Sequence, residues 1–475
     1  MTDRLSRDTS AETAQPAAGE WVTMALLAGD PADVCLWMGG PVSRTELRDL
    51  VGQHQQQLAA AGLDAGGTVT LHLPPSLAYV ASLLAAWRLG AQVSLLDHRL
   101  APREVDRALE RLAPQVVVEP GHVTSSAMSG YADAVAVAQP RAGGRPAATA
   151  HSLIQLSSGS TGPSKVIART AADLVGELGR YDQLHEYPKR GDRIVLLASI
   201  VHVLGLVGGL LYSLHAGVQL VYPDRLTADG IRRAVAAGPE PAMVLGVPFH
   251  AELLAAAPKP IPQLARMVVA GELLRPGIAD AFTAGYQVPL GTMYGMTELG
   301  VIATDLSGRT APAVAPAPGM QVRVADGELL VKMAASPYVG LADPTRWADG
   351  WLHTRDAAAI NAATGLVRIL GRLDSQVSIG GLKVDLTEVE RTLCALPEVA
   401  AAVVSYNDAI EVYLVLHDGF SVEDAEAGMA DQLAAYKRPR QLHLLSELPR
   451  TATGKIVRDR AVLRAAAATA QAVSP

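Results

Sequence analysis

The sequence is poor in cysteine and lacks a run of basic residues. Cys35 and Cys394 are its only cysteines and lie far apart, which argues against a disulfide framework or a zinc cluster and fits a reducing cytoplasm. The formal net charge of −7, without a basic cluster, argues against nucleic acid as a partner. With 475 residues and 49% hydrophobic content, the chain is long enough for two or more domains with large buried sheets.

No targeting or membrane segment is evident either. Residues 1–19 are polar without an apolar centre, so we expect a disordered tail and not a signal peptide. The stretch 194–214 approaches the roughly 20 apolar residues that a bilayer span needs, but it contains Gly205, Gly208 and Gly209 and has no clear positive flank. We predict a buried strand, a turn at His202 and a buried helix, without stable membrane insertion; a membrane span is the alternative.

The pattern of helices and strands predicts an α/β protein. Strand and helix signals alternate from 21 to 120 and again from 193 to 290, which is typical of doubly wound parallel sheets covered by helices. Ser43 and Glu46 form a capping-box signature for a helix that runs to about residue 61. This part of the chain is therefore expected to be the core of a large N-terminal domain.

The residue pattern changes after residue 305. Asp326-Gly327 and the segment 363–365 are hairpin signals, so a small β-rich subdomain is expected. From residue 386, two helices and three strands predict a compact α+β unit of about 100 residues. We predict a large domain over 20–371 and a small C-terminal domain over 372–475.

A run rich in glycine and hydroxyl groups follows the predicted strand end at 153–156. It reads Ser157-Ser158-Gly159-Ser160-Thr161-Gly162-Pro163-Ser164-Lys165. Small residues let the backbone approach an anion, while N–H groups, hydroxyls and the lysine can bind phosphate oxygens. The run is not a Walker A loop, because serine precedes the lysine and valine follows it. It is either a phosphate-binding loop or a flexible Ser/Gly turn, and the missing Walker A loop disfavours a kinase or simple ATPase.

Further segments accompany this run in a fixed order. They are Gly271-Glu272, Tyr294-Gly295-Met296-Thr297-Glu298, Gly350-Trp351-Leu352-His353-Thr354-Arg355-Asp356, Gly371-Arg372-Leu373-Asp374 and Thr453-Gly454-Lys455. Together they resemble the acyl-adenylate-forming enzymes, which include acyl- and aryl-CoA synthetases, peptide-synthetase adenylation domains and luciferases. The resemblance covers nearly the whole chain and is closest to acyl-CoA synthetases. It implies a mobile C-terminal lid and a reaction in which a carboxylic acid and Mg·ATP give acyl-AMP and pyrophosphate, after which a thiol displaces AMP.

The resemblance also implies roles for individual residues. Lys455 would bridge the substrate carboxylate and the α-phosphate, Thr297 would reach the α-phosphate, and Glu298 would bind Mg²⁺. Asp374 would be the hinge between the domains. The implied ATP- and AMP-binding residues are Ser157, Ser158, Gly159, Ser160, Thr161, Gly162, Lys165, Gly271, Glu272, Tyr294, Gly295, Met296, Asp356 and Arg372. The chain departs from the family pattern at Arg355 and Val166, where glycine is usual.

The sequence defines the substrate acid and the thiol acceptor less specifically than the ATP-binding residues. The segment 198–206 contains no acidic residue, whereas amino-acid-activating domains usually have an aspartate there, so an aliphatic, aryl or polycyclic acid without an α-amine is expected. The expected pocket consists of His202, Val203, Phe249, Leu273, Gly291, Met293 and Val301. His202 could instead be a satisfied buried histidine.

The resemblance also implies that Gly380 and Gly381 form the narrow wall of a tunnel for a pantetheine thiol, and the segment around His202 looks more like that of acyl- and aryl-CoA synthetases. Coenzyme A is therefore the first expected acceptor, and a separate acyl-carrier protein is the alternative. A hypothesis of a different class is a non-catalytic relative that binds nucleotide or acid without turnover. The presence of Lys165, Glu298 and Lys455 argues against that third possibility.

Overall fold

The computed structural model describes residues 19–126, 128–157, 165–274, 277–340, 343–373, 375–449 and 456–473. Its helices are α1 (Glu20–Ala25), α2 (Arg44–Ala60), α3 (Leu77–Arg88), α4 (Pro102–Leu112), α5 (Ala171–Asp182), α6 (Tyr212–Ala216), α7 (Ala228–Ala236), α8 (Pro248–Ala255), α9 (Ile278–Tyr286), α10 (Leu386–Cys394), α11 (Val422–Gln432) and α12 (Arg460–Val473). A π-helix over Leu204–Leu211 precedes α6, and a 3₁₀ turn over Ala435–Lys437 follows α11.

Its strands from the amino end are β1 (Val34–Trp37), β2 (Pro41–Ser43), β3 (Thr68–Leu71), β4 (Gln92–Leu95), β5 (Val116–Thr124), β6 (Asp133–Pro140), β7 (Leu153–Ser157), β8 (Lys165–Arg169), β9 (Arg193–Leu196), β10 (Gln219–Val221), β11 (Ala242–Gly246), β12 (Leu264–Ala270), β13 (Leu290–Met296) and β14 (Gly300–Asp305). The later strands are β15 (Ala315–Pro316), β16 (Val322–Ala325), β17 (Glu328–Lys332), β18 (Trp347–Ala348), β19 (Trp351–Ile360), β20 (Val367–Arg372), β21 (Gln376–Ile379), β22 (Leu382–Asp385), β23 (Val399–Tyr406), β24 (Ile410–Leu416) and β25 (Gln441–Leu444).

Two mostly parallel sheets form the large N-terminal part. Within the described ranges, one sheet has the order β6-β5-β3-β4-β7-β8 and the other has the order β15-β14-β13-β12-β11-β9-β10-β1-β2. The strands from β5 to β7 and from β13 to β1 run parallel, whereas the outer strands pair antiparallel. Because the carboxyl ends of parallel strands are where open α/β sheets bind ligands, the loops after β4, β9, β12 and β13 are the first places to look for a site.

The buried stretch after β9 forms a π-helix and α6. Its glycines permit close packing: a Cβ at Gly208 would lie 2.6 Å from Tyr181 Oη, and one at Gly205 would overlap Ser199 O. The surrounding residues belong to the main hydrophobic core, so the predicted strand, turn and buried helix are confirmed. No helix in the described residues is long and apolar enough to cross a membrane.

The remaining strands form an antiparallel sheet and a separate α+β unit. Strands β16 to β20 pair antiparallel, with Asp326-Gly327 at the first hairpin and 361–366 at the second. Beyond them, β21 pairs with β22, and β23, β24 and β25 form a sheet that packs against α10 and α11 around its own core. The predicted α/β class, with a large N-terminal and a small C-terminal domain, is confirmed. The exact domain limits at 371 and 372 stay a prediction.

Local sequence signals explain most of the agreement between the predicted and the observed helices and strands. The Ser43 side chain accepts a hydrogen bond from Glu46 N at 3.2 Å, and Glu46 Oε2 accepts one from Ser43 N at 2.7 Å, so the expected capping box begins α2. Strands β6 and β8 were not predicted. β8 pairs antiparallel with β7, and Ser157 and Lys165 are register partners, so the glycine-rich run connects two strands of a hairpin.

Candidate active site

A large cavity lies at the carboxyl ends of the parallel strands. Its volume is about 2100 Å³, and its wall includes residues of both N-terminal sheets, of the β16–β20 sheet and of the C-terminal unit. The predicted site residues that line it are Lys165, His202, Val203, Gly271, Glu272, Leu273, Met293, Tyr294, Gly295, Met296, Thr297, Glu298, Val301, Asp356, Arg372, Gly380 and Gly381. The fold therefore brings together segments that are more than 200 residues apart in the chain.

One wall of the cavity is organised around Asp356. It lies on β19, opposite Arg372 of β20 in the strand register, and is only 7% exposed. Tyr294 Oη donates a hydrogen bond to Asp356 Oδ2 at 2.6 Å, and Arg372 Nη1 donates one to Oδ1 at 3.2 Å. Burial, and next the nearby carboxylate of Asp356, raise the pKa of the Tyr294 phenol well above its ordinary value, so this hydroxyl remains a donor. The result is an anchored carboxylate that faces the cavity.

The Arg355 departure from the family pattern has a structural explanation. Its φ of 61° is the left-handed conformation that favours glycine. The backbone N–H of Arg355 donates to Glu328 Oε1 at 2.8 Å, and its guanidinium donates to Thr345 O at 2.7 Å. The cation is thus held by groups beside the cavity and is not among the residues that line it.

A second wall carries Glu298 and Lys165. Glu298 follows β13 and is 9% exposed, and its Oε1 accepts a hydrogen bond from Tyr338 Oη at 2.9 Å. The ammonium of Lys165 lies 6.0 Å from the centroid of the Tyr338 ring. Tyr338 therefore contacts both charged residues, a role that the sequence analysis missed because no local periodicity marks it. Its phenol pKa is raised, first by burial and then by the charge of Glu298.

The third wall contains His202 and an unpredicted charged pair at the end of β4. Asp97 is 6% exposed, and Arg99 donates to both of its carboxylate oxygens, at 2.8 Å and 2.6 Å. His202 Nε2 lies 3.5 Å from Asp97 Oδ2, while the side chain of His202 is 41% exposed in the cavity. Burial acts to raise the pKa of the Asp97 carboxyl, but the hydrogen bonds and charges of Arg99 and His202 outweigh it and lower the pKa. Because Arg99 neutralises Asp97, this carboxylate is not a free partner for a substrate ammonium.

Two predicted pocket residues do not line the cavity. The side chain of Phe249 is 53% exposed and does not line the cavity; the neighbouring His250 lines it instead. Gly291 is also absent from the wall, because it lies inside the sheet, where a Cβ would meet Leu306 O at 2.6 Å. The other predicted wall residues include buried Met293 and Val301. The pocket is thus apolar on one side and carries imidazole groups on the other.

The C-terminal unit inserts the β21–β22 hairpin into the cavity. Gly381 N donates to Glu272 Oε1 at 2.7 Å, and Ser378 Oγ donates to Gly271 O at 2.7 Å. Lys383 Nζ also donates to Gly271 O, at 3.0 Å. Gly271 has a φ of +93°, and a Cβ there would lie 3.4 Å from Gly381 Cα, so glycine permits this close approach.

A buried ion cluster holds the C-terminal unit against α4. Lys437 Nζ lies 2.6 Å from Glu104 Oε1 of α4 and 3.2 Å from Glu388 Oε1 of α10. Glu104 Oε2 additionally accepts a hydrogen bond from Ala434 N at 2.8 Å. Burial acts to lower the pKa of Lys437, but Glu388 and then Tyr436 and Glu104 outweigh it and raise the pKa, so the lysine is cationic. We call Glu104, Glu388 and Lys437 the interdomain cluster.

Several predicted residues lie outside the described part of the chain. They are Ser158, Gly159, Ser160, Thr161, Gly162, Asp374 and Lys455. Of Ser157, only the backbone pairing is described. The predicted roles of all these residues stay predictions.

Comparison with known proteins identifies the family of this fold and site. The model of the AMP-binding enzyme family matches residues 27–334, and the model of the AMP-binding enzyme C-terminal domain matches residues 388–455. The first match alone covers more than half of the chain. The chain therefore belongs to the AMP-binding enzyme family, and the predicted resemblance is confirmed.

Individual relatives include aryl-acid ligases. The chain is 28% identical over 469 residues to a p-hydroxybenzoic acid–AMP ligase of Mycobacterium tuberculosis, in a match that covers 88% of this chain and 64% of that protein. It is 27% identical to a 3-hydroxybenzoate/4-hydroxybenzoate–CoA ligase of Thauera aromatica, covering 88% and 91%. The fold matches o-succinylbenzoate CoA synthetase of Bacillus subtilis with a TM-score of 0.77 at 22% identity, covering 94% of this chain and 98% of that one. The chain thus spans less than two thirds of the length of the first of these relatives.

Proposed function

We propose that the chain is an AMP-forming acid–thiol ligase that activates an aryl carboxylic acid and transfers the acyl group to coenzyme A. The observation that carries the proposal is the cavity itself, in which the Asp356 wall, the Glu298 wall, the His202 wall and the docked β21–β22 hairpin face one space. A nucleotide, an acid and a thiol would each have a distinct wall there. Family membership and the aryl-acid ligases among the relatives support the proposal.

In the first step, an oxygen of the substrate carboxylate bonds to the α-phosphorus of ATP, and the bond from that phosphorus to the pyrophosphate oxygen breaks. Asp356, held by Tyr294 and Arg372, would accept hydrogen bonds from the ribose hydroxyls. Lys165 would offset the charge of the departing pyrophosphate, and Lys455 would hold the carboxylate against the α-phosphate.

The residues present also fit a magnesium ion. Mg²⁺ in such sites is commonly held by one or two carboxylates together with nucleotide phosphates and water. Glu298 supplies such a carboxylate, with one oxygen hydrogen-bonded to Tyr338. When bound, the ion would neutralise phosphate charge. No group of three or more metal-binding side chains occurs in the described ranges, which suits a metal that arrives with ATP.

In the second step, the thiol sulfur bonds to the acyl carbon, the bond from that carbon to the AMP oxygen breaks, and the thiol proton is released. The docked β21–β22 hairpin would form the wall along which the thiol approaches. At Gly381, φ is +80° and a Cβ would overlap Val247 Cγ1, so glycine lets the hairpin pack closely against Val247 at the cavity wall. We infer that the described arrangement of the C-terminal unit suits thioester formation.

The acid is proposed to be aryl because apolar side chains and imidazoles line the pocket and because aryl-acid ligases are among the relatives. Val203, Met293 and Val301 supply the apolar side, and His202 supplies a polar edge. The neutralised Asp97 supports an acid without an α-amine. The alternative acceptor is the pantetheine thiol of a separate carrier protein.

The proposal predicts a specific product pattern. Purified protein would be incubated with Mg·ATP and a panel of benzoates, hydroxybenzoates, aliphatic acids and amino acids, with and without coenzyme A. We expect pyrophosphate release and an aryl-AMP with the aryl acids, which becomes aryl-CoA when coenzyme A is present, as measured by mass spectrometry. Amino acids should give neither product, because the carboxylate beside His202, that of Asp97, is already neutralised by Arg99.

Other results would change the assignment. Aryl-AMP could form without reacting with coenzyme A. If its acyl group is instead transferred to a pantetheinylated carrier protein, the acceptor is that carrier protein and not coenzyme A. ATP binding without turnover of any acid in the panel would favour a non-catalytic relative.

A further inference from the structure

Helix α5 contacts the backbone that follows Glu298 and so helps to hold the turn that carries this residue. The turn joins β13 to β14, and two side chains one helical turn apart on α5 bind the backbone that follows Glu298. Arg180 Nη2 donates to Leu299 O at 3.0 Å, and Glu177 Oε1 accepts a hydrogen bond from Val301 N at 3.0 Å. The position of the cavity carboxylate is thus fixed by groups outside the predicted site segments.

Glu177 is an unusual group for this task, because its side chain is fully buried. A buried carboxylate is costly unless it is paired and hydrogen-bonded. Its partner is Arg169, whose Nη2 lies 2.7 Å from Glu177 Oε2 and whose side chain is 2% exposed. Arg169 is the last residue of β8, and Lys165 is the first. One buried ion pair therefore links the strand of Lys165 to the turn of Glu298.

The backbone beside the turn is shaped to receive this carboxylate. Gly300 has a φ of +81°, and a Cβ there would overlap the carboxylate of Glu177. Only glycine allows both this conformation and this contact. The close fit indicates that the Glu177 carboxylate and the turn are packed as one unit.

We propose that Glu177 is a positioning residue, which fixes the carboxylate of Glu298 relative to the ammonium of Lys165. These two groups would bind the metal and the phosphates of the same Mg·ATP, so their separation must match the triphosphate. The inference rests on the proposed function, and it adds residues that lie outside the predicted site segments.

The test compares Glu177→Gln with a control of similar burial. Glutamine keeps the length and the acceptor for Val301 N–H but removes the charge that pairs with Arg169. The control is Arg193→Met, since Arg193 is 1% exposed and donates to backbone carbonyls of Val235 and Gly238 at 2.7 Å and 2.8 Å, away from the turn. Both variants remove a buried polar interaction. The melting temperature of each therefore measures the loss of stability that this removal causes.

The decisive readout is metal affinity in the nucleotide complex. Mn²⁺ binding to the protein with ATP would be followed by electron paramagnetic resonance, and ATP binding without metal by calorimetry. We expect Glu177→Gln to weaken Mn²⁺ binding by about 10–100-fold, the usual effect of losing a group that orients a metal ligand, with metal-free ATP affinity unchanged. Its pyrophosphate-exchange rate should fall and recover at high Mg²⁺, while the KM for the acid stays constant. Arg193→Met should lower the melting temperature without changing Mn²⁺ affinity.

Several outcomes decide the proposal. Wild-type Mn²⁺ affinity in a folded Glu177→Gln variant would overturn it and leave a purely structural ion pair. Should that variant not fold, Arg180→Met removes the contact to Leu299 O and the positive charge near Glu177, and it should also weaken Mn²⁺ binding. Unchanged Mn²⁺ affinity in that variant would also overturn the proposal. Absence of pyrophosphate exchange in the wild type would contradict the proposed function, while the Mn²⁺·ATP measurement would still test the role of Glu177.

Discussion

Replacing Lys455 by alanine is expected to lower the rate of acyl-AMP formation by about 10²–10³-fold, the usual effect of removing one preorganised electrostatic group. The lysine would hold two anions, the substrate carboxylate and the α-phosphate, that otherwise repel each other. Residues 388–455 match the family's C-terminal domain, so Lys455 lies within the matched region. The rate would be measured by pyrophosphate exchange with an aryl acid.

The same variant should retain the second step. When acyl-AMP and coenzyme A are supplied directly, we expect thioester formation at nearly the wild-type rate, because the carboxylate has already been activated. Lys259→Ala is the control, since Lys259 is 69% exposed and pairs only loosely with Asp229. Unchanged pyrophosphate exchange in Lys455→Ala would remove this residue from the mechanism.

Replacing Lys437 by methionine is expected to impair thioester formation and largely spare acyl-AMP formation, which is the reverse of the effect expected for Lys455→Ala. The substitution leaves Glu104 and Glu388 without their shared cation at the interface. Breaking a buried ion pair from one side costs roughly 3–5 kcal/mol, so the docked arrangement should become at least about 100-fold less populated. We expect thioester formation from supplied acyl-AMP to fall accordingly, with acyl-AMP formation largely retained.

An exposed ion pair at the same interface provides the control. Arg103 and Asp431 are 61% and 55% exposed and lie 3.4 Å apart, so Arg103→Ala should change the rate by no more than about fivefold. Equal loss of both half-reactions in Lys437→Met would mean that the interdomain cluster stabilises the fold generally and does not select one arrangement.

The pH dependence of the interdomain cluster follows from the raised pKa of Lys437. A lysine with a raised folded pKa contributes stability that is complete below its ordinary pKa of about 10.4 and is lost as pH rises through the folded value. The lysine therefore stays cationic across neutral pH. Any pH dependence of the thioester step near neutrality must arise from other groups.

Local signals in the sequence predicted much of the fold. The capping box at Ser43 and the Asp326-Gly327 turn specify backbone geometry within a few residues, and both occur where expected. Strand β6 was missed because its alternating alanine and valine residues give a weak strand pattern. Its pairing with β5 is an antiparallel contact that only the folded sheet provides.

Some residues of the candidate site could likewise be predicted from local sequence, whereas others could not. Glu298 and Asp356 lie in compact motifs that a single sequence displays. Tyr338, by contrast, reaches Glu298 across 40 residues, and Lys437 reaches Glu104 across 333, so neither contact has a local signature. Asp97 was within reach of sequence reasoning, since it follows β4 at the edge where parallel sheets bind ligands. Phe249 was misplaced because an aromatic residue at the start of a helix says nothing about which side of the helix faces the pocket.

The central claim is that a carboxylate oxygen attacks the α-phosphorus of ATP in this cavity. It is tested most directly with 4-hydroxybenzoate labelled with ¹⁸O in its carboxyl group, incubated with the protein, Mg·ATP and coenzyme A. We expect each released AMP to carry one ¹⁸O atom, detected by mass spectrometry, and pyrophosphate to carry none. Label in inorganic phosphate or pyrophosphate, or thioester formation with unlabelled AMP, would contradict it.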